Sequence, residues 1–227
     1  MSIAIIPARG GSKRIPQKNI RDFLGRPIIS YSIEIAKESE LFERIIVSTD
    51  DNEIAETATK YGAEVPFVRP SNLSDDYTGT HDVVGHAVKW LIDSGIKVEN
   101  VCSIYPTAPL IQKKDLAKGF DLIKSGEWES VFAATKFSYP IFRSFHFTEN
   151  GGLKMFFPDH YHSRSQDLVE AMHDAGQFYW ANAKVWMQHP KQYNKNSTVI
   201  LLPEWRVQDM DNLEDWKRAE LIYQTLL

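Results

Sequence analysis

Between Arg9 and Arg26 the chain carries Arg9, Lys13, Arg14, Lys18, Arg21 and Arg26 against the single acid Asp22. Six cations in eighteen residues, in a protein with 26 basic and 30 acidic side chains overall, point to an anionic ligand. The paired Gly10-Gly11 lets backbone N–H groups approach such an anion, and the lysines add point charges suited to phosphate oxygens. The spacing fits neither standard phosphate loop, since the glycines run straight into Ser12-Lys13. A solvated basic loop would have the same composition. Near the other end of the chain, Asp209 and Asp211 flank Met210. In an extended segment both aspartates point one way and the methionine the other. Converging carboxylates repel unless a cation neutralises them, and hard oxygen ligands favour Mg²⁺. Alternatively, Asp211 caps the final helix, with Glu214 at the capping-box position.

The elements that position these groups follow from the apolar pattern. Runs of four to six apolar residues alternate with helix-period segments, as in βαβ units of a mostly parallel sheet. Strands are expected at Ser2–Ile6, Arg44–Ser48, Val65–Val68, Val101–Tyr105, Ser130–Thr135, Gln177–Trp180 and Val199–Leu202. Helices are expected over Ile28–Ser39, from Asp50-Asp51-Asn52 to Gly62, and over His81–Ser94, Lys113–Lys124 and Asn212–Leu226. Pro7–Gly25 reads as a long polar loop. It follows the first strand, where ligands of open α/β sheets sit. Ile141–Phe147 and Leu153–Phe157, joined by Glu149-Asn150-Gly151-Gly152, read as a β-hairpin within an inserted arm over 139–160. So apolar an arm calls for a second subunit to cover it.

Composition narrows the field. The chain has 227 residues, enough for one domain over 1–227, with ordinary hydrophobic (43%) and charged (25%) fractions. A net charge of −4 argues against a general nucleic-acid binder. No apolar run approaches the roughly 18 residues of a membrane span, and Met1–Ile6 is too short for a signal h-region. The lone Cys102 excludes an internal disulfide and fits a reducing compartment, so a cytoplasmic protein is expected. The seven histidines form no zinc pattern and no GxSxG elbow is present, which removes the usual signs of metalloprotease or serine-nucleophile chemistry.

The stretch Ile6-Pro7-Ala8-Arg9-Gly10-Gly11-Ser12-Lys13-Arg14-Ile15-Pro16-Gln17-Lys18-Asn19 resembles the IPARGGSKxIPxKN signature of the cytidylyltransferases that activate nonulosonic (sialic-type) acids. Other segments are similar to that family in turn: Arg69-Pro70 with Thr78-Gly79-Thr80, Tyr105-Pro106-Thr107-Ala108-Pro109-Leu110, and Gln208-Asp209-Met210-Asp211-Asn212-Leu213-Glu214-Asp215. Tyr105 stands where the sialic acid enzymes have glutamine. The segment from Tyr161 to Trp180, with His173-Asp174-Ala175-Gly176-Gln177-Phe178-Tyr179-Trp180, is similar to the pseudaminic acid branch. It departs from the sialic acid pattern at Val169, where proline is common, and at Met172, where tyrosine is common.

The resemblance implies a three-layer, Rossmann-like α/β fold of the nucleotide-diphospho-sugar transferase type, with a mostly parallel sheet and an inserted β-hairpin dimerisation arm. It implies CMP transfer from CTP to a nonulosonic acid, with Mg²⁺ as cofactor, in a homodimer that engages neither membrane nor nucleic acid. Ala8, Arg9, Gly11, Ser12, Lys13, Lys18, Asn19, Arg69, Thr80 and Tyr105 would then contact the nucleotide. Arg164, Gln166, Gln177 and Tyr179 would contact the sugar acid, and Asp209 and Asp211 the metal. Lys13, Lys18, Asp209 and Asp211 would carry the transfer. Two of these groups keep a structural alternative: Thr80 as the cap of the His81 helix, and Phe178–Trp180 as core packing. The rival readings are the same transfer to N-acetylneuraminic or legionaminic acid in place of pseudaminic acid, a sugar-1-phosphate nucleotidyltransferase, and a non-catalytic nucleotide-binding module.

Overall fold

The first strand, β1 (Ser2–Pro7), is a run of Ile and Ala with almost no exposed surface, so it must be covered on both faces. In the computed structural model, which describes residues 1–188 and 192–226, β1 lies near one side of a six-stranded sheet. The chain leaves it through a two-residue ribbon, β2 (Asp22–Phe23) and β3 (Arg26–Pro27), and enters α1 (Ile28–Glu38). It returns as β4 (Arg44–Ser48), parallel to β1. Helices α2 (Asn52–Lys60) and α3 (Thr80–Asp93) follow, and then β5 (Asn100–Ile104), which pairs in parallel with the opposite edge of β1. The chain thus reverses its direction of travel between β1 and β5, and that reversal opens the crevice in which α/β sheets bind ligands.

The second half extends the sheet. Helix α4 (Lys113–Lys124) leads to β6 (Ser130–Lys136), and after the arm strands β7 (Phe145–Phe147) and β8 (Leu153–Met155) comes β9 (Met172–Asn182). A short α5 (Ala183–Gln188), β10 (Ser197–Leu201) and α6 (Leu213–Gln224) complete the chain. The sheet order is β10-β6-β9-β5-β1-β4. Strand β9 is antiparallel to both its neighbours, and the other pairings within this six-stranded sheet are parallel.

Alternation along β1 assigns the layers. Ala4 and Ile6 pack against α1, α2 and α4, through Ile29, Ile33, Ile54, Ala58 and Leu116. Ile3 and Ile5 pack on the other face against Val84, Val88 and Leu91 of α3 and Trp186 of α5. The mostly parallel three-layer α/β fold is therefore present. A third, smaller cluster gathers Ile15 and Phe23 from the basic loop, Ile28 and Tyr31 from α1, and Met210 and Trp216 from the end of the chain. It fastens the two ends of the molecule to each other beside the crevice. Cys102, on β5, is fully buried, and burial pushes its thiol well above the usual range.

Three expected elements differ. Val65–Val68 forms no strand; only the single bridges Ile46–Glu64 and Thr49–Val68 join that stretch to the sheet. It is interrupted by Pro66, which cannot donate to a ladder. Strand β9 begins five residues earlier than the apolar run Gln177–Trp180, in the polar His173-Asp174 stretch, and passes a register shift opposite Phe132–Ala134. In the arm, Ile141–Arg143 is a 3₁₀ turn, so the hairpin strands are only three residues each.

Candidate active site

The basic loop is held open by its own backbone and by polar side chains. The Ala8 N–H donates to the Ser48 carbonyl at 2.9 Å, and Asn19 Nδ2 donates to the Arg9 carbonyl at 2.9 Å. The Gly10 N–H donates to Asp50 Oδ1 at 3.0 Å. A Cβ on Gly10 would lie 2.9 Å from that of Asp51, so the loop reaches this position only as glycine. Asp51 cannot move away, because its carboxylate caps α2 by accepting from the Ile54 N–H at 3.0 Å. Ile15 anchors the middle of the loop in the third hydrophobic cluster, and a left-handed residue at Gln17 turns it into the 3₁₀ turn Lys18–Ile20.

These fixings leave a cleft of about 550 Å³ at the β1/β5 switch point. Of the expected nucleotide contacts, Arg9, Ser12, Lys13, Lys18, Asn19, Arg69, Thr80 and Tyr105 line it. Ala8 is buried beneath it, and Gly11 lies on the exposed part of the loop, with open space where a Cβ would be. The Thr80 hydroxyl makes no cap bond, because Gly79 is the residue before α3; it lies 3.1 Å from the Tyr105 hydroxyl instead. Arg69 is buried, with Nη2 donating to the Ser48 carbonyl at 2.9 Å and Nε without a hydrogen-bond partner. Burial lowers its guanidinium, Asp50 opposes that shift, and Arg9 adds to it.

Carboxylates balance the loop cations. Asp76, in the loop between Arg69 and α3, pairs with Arg9 at 2.9 Å and with Lys13. The hydrogen bond from Lys13 holds it below the usual carboxylate range. Arg14 pairs with Asp211. Burial pulls the Lys18 ammonium below the usual lysine range, and the neighbouring Asp209 and Asp211 offset part of that pull. The two ends of the chain therefore meet at Lys18. Met210 is buried, whereas Asp209 is exposed and Asp211 half-buried, as an extended segment requires. Asp211 does not cap α6. Asn212 does, accepting from the Glu214 and Asp215 N–H groups, and Asp215 closes the capping box in place of Glu214.

The expected sugar contacts are more dispersed. Arg164 and Gln166 lie on an exposed loop, and Arg164 forms a two-bond pair with Asp167 at 2.7 and 2.9 Å. Gln177 is buried, with Nε2 donating to the Arg206 carbonyl at 2.7 Å. Tyr179 is half-buried, and its hydroxyl donates to Asp174 at 2.8 Å. Its ring lies 5.3 Å from that of Tyr105. Phe178 and Trp180 are fully buried in the core. Two residues not read as site members are prominent here, Asp76 and Asp174. The acidic pair at 75–76, between Arg69 and Thr80, is the signal that could have found Asp76 as a counter-ion of the loop cations; no signal in the sequence marked Asp174.

A cation-rich loop at the switch point of a doubly covered sheet, facing a carboxylate pair, defines a nucleotide-handling α/β transferase. The family model described as Cytidylyltransferase matches residues 3–223, and the chain belongs to that family of nucleotidyltransferases. It is 47% identical over 223 residues to a pseudaminic acid cytidylyltransferase of Campylobacter jejuni subsp. jejuni serotype O:2, covering 98% of this chain and 96% of that one. A Helicobacter pylori protein named as a pseudaminic acid cytidylyltransferase and UDP-2,4-diacetamido-2,4,6-trideoxy-beta-L-altropyranose hydrolase is 36% identical over 221 residues. That match spans 96% of this chain and 42% of that protein. Among solved structures, a CMP:2-keto-3-deoxy-manno-octonic acid synthetase complexed with CTP superposes with a TM-score of 0.72. The match covers 100% of this chain and 99% of that one at 14% identity, a likeness of fold alone.

Proposed function

We propose that the enzyme transfers CMP from CTP to the anomeric hydroxyl of pseudaminic acid, releasing pyrophosphate. The observation that carries this reading is the meeting of two cleft-lining cations with the carboxylate pair, Arg14 with Asp211 and Lys18 with Asp209 and Asp211. The relatives named for this reaction, matched over nearly the whole chain, support the choice of sugar acid.

In this reaction the anomeric oxygen forms a bond to the α-phosphorus of CTP, the α–β phosphoanhydride bond breaks, and pyrophosphate departs. The chain supplies position and charge, which carry most of a phosphoryl-type transfer. Lys13 and Arg14, at the exposed side of the loop, would take the charge of the departing pyrophosphate, with Lys18 set deeper beside the carboxylates. Each now has a protein counter-ion nearby, so triphosphate binding would exchange Asp76 away from Arg9 and Lys13.

Asp209 and Asp211 fit Mg²⁺ in donor chemistry, as hard carboxylate oxygens on one side of an extended segment. Among the described residues they have no third His, Cys, Asp or Glu that would complete a protein-only site, so phosphate oxygens would share the ion. When bound, the metal supplies charge neutralisation at the phosphates. The exposed Phe145, Phe147 and Leu153 of the arm support the proposal of a homodimer.

The test is pyrophosphate release from CTP with pseudaminic, N-acetylneuraminic and legionaminic acids offered separately. Release is expected with pseudaminic acid foremost. Release with N-acetylneuraminic acid and none with pseudaminic acid would overturn the substrate assignment.

A further inference from the structure

We propose that Asp76 is a resident counter-ion that competes with pyrophosphate for Arg9 and Lys13. Its carboxylate holds both cations in the empty cleft and, by reclaiming them after transfer, helps the leaving group out. Asp76 acts through Arg9 and Lys13 and touches no reacting atom, so it is a positioning residue. This role rests on the reading that the basic loop takes the triphosphate of CTP.

The carboxylate spans two cations that stand four residues apart on the loop. Oδ1 pairs with Arg9 at 2.9 Å, and Oδ2 pairs with Lys13. Arg9 also donates to the Asp75 carbonyl, so its guanidinium is tied to this turn twice. The turn itself is built without the cations. The Asp75 carboxylate accepts from the Tyr77 and Thr78 N–H groups at 2.9 and 2.7 Å, and from the Thr78 hydroxyl at 2.8 Å. Two adjacent aspartates thus divide the work: Asp75 shapes the turn, whereas Asp76, with Tyr77 and Thr78, lines the cleft. Arg14 and Lys18 face carboxylates that have a second use at the metal; Asp76 has none in the proposed transfer.

Pyrophosphate oxygens and a carboxylate on the same two cations repel each other, so the two occupancies are mutually exclusive. Neither pair is buried, and an exposed ion pair is worth up to roughly fivefold in an equilibrium. A nucleotide that engages more of the loop can therefore displace Asp76. Asp76 in turn needs no encounter from solution, because the preformed turn presents it at an effective concentration on the order of millimolar or more. Once the α–β bond is broken, pyrophosphate loses its covalent tie to the nucleotide and meets that competitor alone.

The experiment is calorimetric binding of inorganic pyrophosphate to the full chain, for wild type, Asp76→Asn and Asp75→Asn. Asp76 is exposed, so its replacement leaves the fold intact. Asp75→Asn makes the same change of net charge on the same turn and keeps an Oδ1 acceptor for Tyr77 and Thr78, which controls for the general field. Asp76→Asn should bind pyrophosphate at least threefold more tightly than wild type, and at least twice as tightly as Asp75→Asn. In turnover, the inhibition constant of pyrophosphate should fall by the same factor. A gain below threefold, or one that Asp75→Asn matches to within twofold, would overturn the competition. An unchanged inhibition constant beside tighter binding would overturn the part in release. Should wild type bind pyrophosphate yet transfer no CMP to any nonulosonic acid, the proposed reaction falls and the competition is still decided by the binding ratios.

Discussion

Asp211 sits one residue before the cap of α6, and that position separates two jobs for its carboxylate. Asp and Asn are both favoured caps, and Asp211/Glu214 and Asn212/Asp215 have the same spacing, so the sequence alone leaves both frames open. The structure caps the helix with Asn212 and leaves Asp211 facing Arg14 and Lys18. Asp211→Asn should therefore lower kcat/KM by about 10²-fold or more, the scale of several kcal/mol of lost charge stabilisation. Its melting temperature should stay near that of wild type, since only a surface ion pair is removed; retained activity would sink the role. Lys18 gives a pH signature. Burial is the largest influence on it and favours the neutral form, so its charge is lost at lower pH than that of an ordinary lysine. The kcat/KM for CTP should fall along an alkaline limb that begins below the usual lysine range. Lys18→Arg, which keeps its charge there, should move that limb upward; an unchanged pH profile in this variant would remove Lys18 from triphosphate capture.

Among the elements, the long periodic helices and the Ile- and Val-rich strands were readable because burial on both faces leaves continuous apolar runs. Strand β9 was half hidden. Its first residues, Met172–Asp174, pair with Ala134, Thr135 and Lys136 through the backbone, which polar side chains do not reveal. Helix α5 is six residues long, too short for a helical period to show. The apolar run at Val65–Val68 failed as a strand because Pro66 interrupts it. Most cleft-lining residues were legible from the clustering of cations in one loop, whereas Asp174 acquires its place only from the turn at Gly176. The segment carrying Asp209 and Asp211 is positioned by the 3₁₀ turn Glu204–Arg206 before it. There, Arg206 forms a buried pair with Asp115 of α4 at 2.6 Å, and its carbonyl receives Gln177. Asp115→Ala leaves a buried guanidinium unpaired and should cost about 3–5 kcal/mol in chemical denaturation. Asn212→Ala, losing a solvent-exposed cap, should cost about 1 kcal/mol. Equal costs would show that the buried pair does not anchor this segment.

At the scale of the whole molecule, charge is segregated rather than merely balanced. The net −4 combines a cationic N-terminal loop with carboxylates from elsewhere in the chain, and the third hydrophobic cluster brings the two ends together. No helix among the described residues is long and apolar enough to cross a membrane. The arm is the one expectation that needs a second copy. Phe145 is 61% and Phe147 77% exposed on strands that form their own two-stranded sheet. A hairpin of that size is not stable alone in water. Light scattering should give a dimer at micromolar concentration, and Phe145→Ser with Phe147→Ser should shift it toward monomer; a wild-type monomer would remove the arm's assigned role.

The proposed reaction turns on a single bond-forming step, attack by the sugar's anomeric oxygen on the α-phosphorus of CTP. It can be followed by equilibrating pseudaminic acid with ¹⁸O-water to label that oxygen, then analysing the products by ³¹P NMR and mass spectrometry. The expected result is label in the oxygen bridging sugar and phosphorus of the CMP-sugar, with unlabelled pyrophosphate. Label in the pyrophosphate, or a CMP-sugar whose bridging oxygen is unlabelled, would contradict the account.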